Sequence, residues 1–256
     1  MTNSQLTERD REEIRRSAEE ASKVVLKPAD VERYLNPPAN TAYALEYAFH
    51  LLGDARTKNV LDLGCGTGEN IIPLSRRGNH VVGMDISPEL IDLARQRIRN
   101  ARVEATLRVG SAYDTGLPDQ SVDVIFCIAL IHHLDIAAVR DEMRRILARG
   151  GIIILSEPIR FSAVYNRLRS LLPAREDVSD HEHPLTKHEL AAFTRPFEVE
   201  GMRYFRVPLL PLLDCALPLN ILERKEAWKL DRWILRHCRG IEKYATNVTM
   251  RLRDAN

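Results

Sequence analysis

The sequence predicts an α/β fold: a doubly wound, mostly parallel sheet of seven strands. Three observations predict it. Short apolar runs alternate with amphipathic helical stretches between residues 60 and 156, the pattern of strand–helix units that cover both faces of a parallel sheet. A glycine-rich turn, Gly64-Cys65-Gly66-Thr67-Gly68, directly follows the first of these runs. Two more strand-like runs close the chain. A length of 256 residues is large for one domain and small for two, so one domain with appendages is expected.

The elements follow in order. A first helix is expected from Thr7 to Leu26, with Thr7 as N-cap and Pro28 as stop. Asn36-Pro37-Pro38 is a break, and a second helix should run from Thr41 to Leu52, ended by Gly53. Residues 1–54 thus form a helical extension, and the domain proper occupies 55–256. Val60–Leu63 and Val81–Asp85 read as the first two strands. Ser87-Pro88-Glu89 combines an N-cap, a proline at the first helical position and an acid in the first turn, so a helix should run to about Asn100. Strands are expected at Ala105–Val109, Val122–Ile128 and Ile152–Ser156, with a helix over Ile136–Ala148. Helical segments at about 160–172 and 186–193 come next. Phe197–Val207 and Tyr244–Leu252 read as the last two strands, and a helix from Glu223 to His237 lies in the stretch 208–240 between them. An insertion this long is usually a lid, a binding loop or an interface. Segments 158–195 and 208–240 are therefore expected to be lid-like.

Composition narrows the function. Lys and Arg total 37 against 36 Asp and Glu, which disfavours a strongly basic nucleic-acid binder. Cys65, Cys127, Cys215 and Cys238 lie far apart and form no CxxC pair, which fits a reducing, cytoplasmic setting. The N-terminal stretch is highly charged, without a signal-like apolar run. The most apolar stretch, Val207–Leu222, is interrupted by Pro208, Pro211 and Pro218, so it does not read as a spanning helix. Three roles stay open for it: a lid over an apolar substrate, a dimer or peripheral membrane contact, and core packing. Monomer and homodimer are both compatible with that.

The glycine turn is the sharpest signal. Such a turn between strand and helix lets a ligand approach the backbone closely and presents free N–H groups. The dinucleotide fingerprint is GxGxxG; here Gly68 falls one residue early and is followed by Glu69, an acid that would repel a pyrophosphate. No GK[ST] follows, so the Walker loop is absent as well. Val60-Leu61-Asp62-Leu63-Gly64-Cys65-Gly66-Thr67-Gly68 instead resembles motif I of the class I S-adenosylmethionine-dependent methyltransferases. Asp85, 21 positions beyond Gly64 at the end of the second strand, reinforces the resemblance. It covers Asn59 to Pro158 and is closest to the small-molecule, ubiquinone/menaquinone-type group.

That resemblance implies a Rossmann-like sheet with an antiparallel last strand, and S-adenosylmethionine as cofactor. It implies that Gly64, Gly66 and Gly68, with Cys65 in the same turn, cradle the methionine part and ribose. Asp62 would orient the turn or contact the amino-acid part, Asp85 would accept from both ribose hydroxyls, and Ile86 would pack on the adenine. Ser111 and Ala112 would sit at the adenine edge, although many relatives carry Gly-Asp-Ala where this chain has Gly110-Ser111-Ala112. A backbone carbonyl, Ser111 Oγ or Asp114 would then take the adenine amino group. Cys127 would offer its carbonyl to the ammonium. Leu147-Ala148-Arg149-Gly150-Gly151 resembles the family's turn before strand five, with Arg in place of Pro. The helices before motif I would close over the cofactor, bringing Tyr34 and Tyr43 near the ligand.

The implied reaction is an in-line methyl transfer to O, N or C of a small molecule. Alignment supplies most of the barrier reduction, roughly 7–11 kcal/mol, while a general base adds only about 10²–10⁴-fold. His132 and His133 follow strand four on the side where the methyl group points; neighbours on a helix diverge by about 100°, so one of them, His133 before His132, is expected to face substrate. The competing role is a histidine that orders the loop. Glu157, ending strand five, is a rim candidate for substrate, or else a loop-fixing acid. Asp180-His181-Glu182-His183 looks like a metal cluster, but Pro184 and a capping box from Thr186 to Glu189 follow. No metal is expected; His181 or His183 would border the substrate pocket. Strand four lacks the Asn/Asp-Pro-Pro-aromatic motif of nucleic-acid amino-methyltransferases, and the Asn36-Pro37-Pro38 break precedes strand one and is followed by Ala39. The apolar insertion suggests a hydrophobic metabolite as substrate. The alternative function is a protein that keeps the cofactor fold without methylating, a scaffold or an enzyme such as a cyclase.

Overall fold

The computed structural model describes residues 8–26, 30–54, 56–162, 183–207 and 224–254, leaving aside the side chains of residues 8, 9, 20 and 224–228. Its centre is one seven-stranded sheet in the order β3-β2-β1-β4-β5-β7-β6. The strands are β1 Asn59–Leu63, β2 His80–Asp85, β3 Thr106–Val109, β4 Val122–Ile128, β5 Leu147–Pro158, β6 Phe197–Phe205 and β7 Asn247–Asp254. The first five run parallel; β7 is antiparallel to both β5 and β6, between which it lies. The expected doubly wound sheet with an antiparallel last strand is the one observed.

Strand alternation builds a core on each face of the sheet. Val60, Val124, Phe126, Ile152 and Ile154 point to one side, where they meet Phe49, Ile71 and Ile91. Their neighbours Leu61, Ile125, Cys127, Ile153 and Leu155 point to the other, against Val139, Met143 and Phe193. Both faces are covered, which explains why these strands read as near-continuous apolar runs rather than polar–apolar alternation. The first face carries α3 (Ala44–Leu52), α4 (Ile71–Arg76) and α5 (Pro88–Ala101); the second carries α6 (Ile136–Ile146) and α7 (Lys187–Thr194). Helices α1 (Glu8–Ala21) and α2 (Glu32–Leu35) precede them, and α8 (Arg224–His237) stands between β6 and β7.

Local chemistry sets several boundaries as expected. Ser87 Oγ accepts from Leu90 N at 3.2 Å with Pro88 at the first helical position of α5. The capping box that starts α7 closes in both directions between Thr186 and Glu189. Other boundaries differ. Helix α1 ends at Ala21, short of Leu26, and Thr7 and Pro28 lie outside the described residues. The second predicted helix starts at Ala44, because the Thr41 hydroxyl is taken by Glu46 and by Tyr43 N instead of capping. Strand β5 begins at Leu147, so the turn expected at 147–151 is part of the strand, which shifts register between Val122 and Val124. The short α2 and α4 carry too few apolar positions to show a helical period. Predicted segment 160–172 falls mostly, and the apolar stretch 207–222 almost wholly, outside the described residues. No helix among the described residues is long and apolar enough to cross a membrane.

Candidate active site

Strand β1 is flanked by β2 on one side and β4 on the other. The winding reverses there, and ligands of open parallel sheets bind in the crevice beyond the carboxyl ends of such strands. The glycine turn leaves β1 into this crevice. It is tied to β2 by Gly64 N and Cys65 N, which both donate to Met84 O at 2.8 and 2.9 Å. From outside, Arg97 of α5 clamps it: Nε donates to Thr67 O at 2.9 Å, and Nη2 lies 3.1 Å from Glu69 Oε1. Arg97 is buried on the same α5 stripe as Ile91, Ala94 and Ile98. A cation inside an apolar stripe is the sequence signal that would have found it.

Asp85 sits where β2 ends. Its Oδ2 accepts from Gly66 N at 2.8 Å and its Oδ1 from Ser87 N at 3.0 Å. Each oxygen retains a lone pair for a further donor. Burial raises the Asp85 pKa, opposed by the N–H groups of Ser87, Gly66 and Ile86. Asp85, Gly64, Ile86, Ser111 and Ala112 line one cavity of about 170 Å³. Across it α1 supplies Asp10, Glu13 and Ser17, so the N-terminal extension does cover this site. Ser111 Oγ accepts from Tyr113 N at 3.1 Å, and Ser111 forms a backbone bridge with Asp114.

The glycines of the turn differ in what surrounds them. A Cβ placed on Gly66 (φ +49°) would meet no atom within 4 Å, whereas one on Gly68 would sit 3.0 Å from Ala94 Cβ. Gly68 is therefore a packing glycine against α5, and Gly66 borders open space. Gly66→Ala is expected to cost about 1–2 kcal/mol of stability from its left-handed backbone, but to weaken ligand binding at the turn at least about tenfold. Unfolding curves and calorimetry on one sample separate the two effects; undiminished affinity would refute the cradle.

Asp62 lies beneath the turn, 1 % exposed, with the Asn70 side chain nearby, and neither carboxylate oxygen has a hydrogen-bond partner within 3.5 Å among the described residues. Burial, reinforced by the Asp85 charge and eased slightly by Asn70, pushes its pKa up to about 8. A carboxyl raised in the folded state costs stability as its unfolded counterpart ionises. Stability is thus expected to fall between about pH 4 and pH 8 and level off above. Asp62→Asn should flatten that slope in urea titrations; an unchanged slope would place the effect elsewhere. An orphaned buried carboxylate next to an open glycine cradle fits a ligand that brings a cationic amine. Cys65 and Cys127 are buried thiols, pushed well above the ordinary range by burial.

The two histidine rings lie 4.0 Å apart but meet different partners. His132 Nδ1 lies 2.7 Å from Glu157 Oε2, and Glu157 Oε1 accepts from Leu130 N at 2.8 Å and Ile131 N at 3.0 Å. Glu157 is 0 % exposed; it braces the turn after β4 and does not reach out as a rim acid. His133 lines the smaller cavity, its Nδ1 3.8 Å from Glu13. His183 is turned to Glu189 at 2.9 Å and supports the start of α7. His181 lies outside the described residues.

A second, larger cavity of about 740 Å³ opens beyond β4, β5 and β6. Tyr34 and Tyr43 line this one, not the smaller one. Ala129 lines both. It has a left-handed backbone (φ +55°), and its N donates to Ser156 O at 2.8 Å. Nothing in the sequence marks Ala129, since its role follows from a backbone bend, not a side chain. Asp231 of α8 also lines the larger cavity, and burial pushes its pKa up to about 6.

Sheet order, reversal point and paired cavities define a Rossmann-like domain of the class I methyltransferase type. Residues 61–155 match the family model described as "Methyltransferase domain". The chain is 33 % identical over 132 residues to demethylmenaquinone methyltransferase of Tropheryma whipplei, covering 49 % of this chain and 54 % of that one. It is 31 % identical over 160 residues to ubiquinone biosynthesis O-methyltransferase of Xylella fastidiosa, covering 57 % and 64 %. The match thus spans half to two thirds of these relatives. In fold, the chain is similar to geranyl diphosphate C-methyltransferase from Streptomyces coelicolor A3(2), solved with Mg2+, geranyl diphosphate and S-adenosyl-L-homocysteine: TM-score 0.61, 16 % identity, 97 % and 98 % of the two chains.

Proposed function

We propose that this chain is an enzyme that transfers a methyl group from S-adenosylmethionine to O, N or C of a small molecule held in the larger cavity. The observation that carries it is Ala129, which lines both the cavity bordered by Asp85 and the glycine turn and the cavity walled by β6 and α8. The cofactor's sulfonium supplies a methyl group already activated for in-line displacement. In this reading Asp85 holds the ribose diol, Asp62 answers the amino-acid end, and Ile86 and Leu90 pack on the base beside Ser111 and Ala112. The carbonyl of Cys127 answers the ammonium, and Ala129 borders both cavities. Where a proton must be removed, His133 is the candidate base, while His132 is held by Glu157.

The surrounding segments, 1–54, 158–195 and 208–240, choose the acceptor. Monomer or homodimer serves equally, and no nucleic-acid partner is required. Incubating the full chain with methyl-labelled cofactor and a metabolite extract tests the reading. Saturable binding of S-adenosylhomocysteine with label in a small molecule is expected. Binding without transfer across a broad extract would favour a non-methylating cofactor protein, and no binding would remove both.

A further inference from the structure

The larger cavity is more cationic than its apolar walls require. Five arginines line it, Arg33, Arg203, Arg206, Arg232 and Arg236, against three acids, Glu46, Asp231 and Glu242. Arg33 is neutralised by Glu46, with Nε 2.8 Å from Oε1. Arg203 of β6 and Arg232 of α8 are not neutralised. Arg203 donates to Ala39 O and Thr41 O, each at 2.8 Å, and Arg232 donates to Asn40 O. Three successive carbonyls of one loop thus hold two guanidiniums at the same wall. Carbonyls fix these groups but carry no net charge to balance them.

Arg203 is further fixed by aromatic rings. Its guanidinium lies 3.8 Å from the Tyr47 ring centre and 4.6 Å from that of Phe205. Its Nε is buried without a hydrogen-bond partner. Burial lowers its pKa, and the nearby Arg232 charge lowers it further. Among the described residues no carboxylate pairs with Arg203, Arg232 or Arg236. Two fixed, like-charged forks without a counter-ion are matched by a planar or tetrahedral oxyanion, which guanidinium binds through paired N–H groups. The same cavity has a buried acceptor that is not fully used: Asp231, 7 % exposed, whose Oδ1 has no partner among the described residues. Ile128, Ala129, Met202 and Leu235 supply apolar wall between.

We propose that the methyl acceptor is an amphipathic small molecule whose anionic group, a carboxylate or a phosphate, seats against Arg203 and Arg232, while Asp231 accepts from its hydroxyl or amine. This rests on the reading above that the larger cavity holds the acceptor. The apolar body then lies along Ile128 and Met202, towards Ala129.

Calorimetric titration of the full chain tests it, with and without saturating S-adenosylhomocysteine. The probes are 3-hydroxydecanoate against its methyl ester, decanoate, decyl phosphate against decanol, and decylamine. Each anion is expected to bind at least about tenfold tighter than its neutral partner, as hydrogen bonds to a charged group require, and decylamine weakest of all. The tighter anion identifies the head group. Arg232→Gln should erase most of that preference at an unchanged melting temperature; Arg232→Lys, which keeps the charge but loses the planar fork, should keep part of it and serves if Arg232→Gln does not fold. Asp231→Asn should narrow the advantage of 3-hydroxydecanoate over decanoate. Equal binding of anion and neutral partner, no saturable binding of either anion, or preference left intact by the arginine variants would overturn the proposal. The titration without S-adenosylhomocysteine keeps this outcome separate: failure to bind that compound removes the methyl-transfer reading, whereas the anion preference is read in the free chain.

Discussion

Replacing Glu157 with alanine is expected to destabilise the protein by about 3–5 kcal/mol, as the loss of several buried hydrogen bonds at one group requires. The carboxylate is fully buried and satisfies two backbone N–H groups and the His132 ring together. Its removal takes the acceptor from both N–H groups and one partner from the His132 ring in a buried turn. The damage falls on the turn after β4, where Ala129 and Leu130 form walls of the ligand cavities. Urea unfolding measures the loss, and Glu157→Gln, which keeps one acceptor oxygen, should recover part of it. A change below about 1 kcal/mol, the worth of an ordinary exposed contact, would contradict the bracing role.

Asp85→Ala is expected to weaken cofactor binding by about 1.5–3 kcal/mol, the strength of hydrogen bonds to a charged acceptor. The carboxylate already spends one lone pair on Gly66 N and one on Ser87 N. The variant therefore also loosens the turn, whose Gly66 loses its anchor. Asp85→Asn should fall between, because its amide keeps one acceptor and adds a donor facing Gly66 N or Ser87 N. Calorimetry with S-adenosylhomocysteine is the measurement, and an unchanged dissociation constant would sink the site assignment.

Much of the fold was legible because parallel-sheet chemistry writes itself locally. Val60–Leu63, Val122–Ile128 and the Ser87-Pro88 start each carry their own signal, and all stand where they were expected. The three turn glycines were legible for the same reason, since a backbone that must bend at once after a strand needs such residues close together; Asp85 was legible from its place at the end of the second strand, 21 positions beyond Gly64. Contacts between distant segments were not legible. That α1 covers the smaller cavity with Asp10 and Ser17 depends on its packing against α5. The pairing of His132 with Glu157 joins residues 25 positions apart, and the convergence of Arg203 and Arg232 on the loop at 39–41 spans most of the chain. Sequence spacing carries no sign of such meetings. The histidine pair shows the cost: adjacency implied divergent side chains, yet the two rings lie 4.0 Å apart, and only the fold says which of them meets Glu157.

The position of β7 has a consequence for how the molecule is born. Strand β6 touches the rest of the sheet only through β7, which is made later and slides between β5 and β6. Until residue 254 has left the ribosome, Arg203, Tyr204 and Phe205 have no strand to lean on, while β1 to β5 already hold a complete parallel unit with the glycine turn and Asp85 in place. Vectorial synthesis therefore completes the walls of the smaller cavity before β6 can join those of the larger.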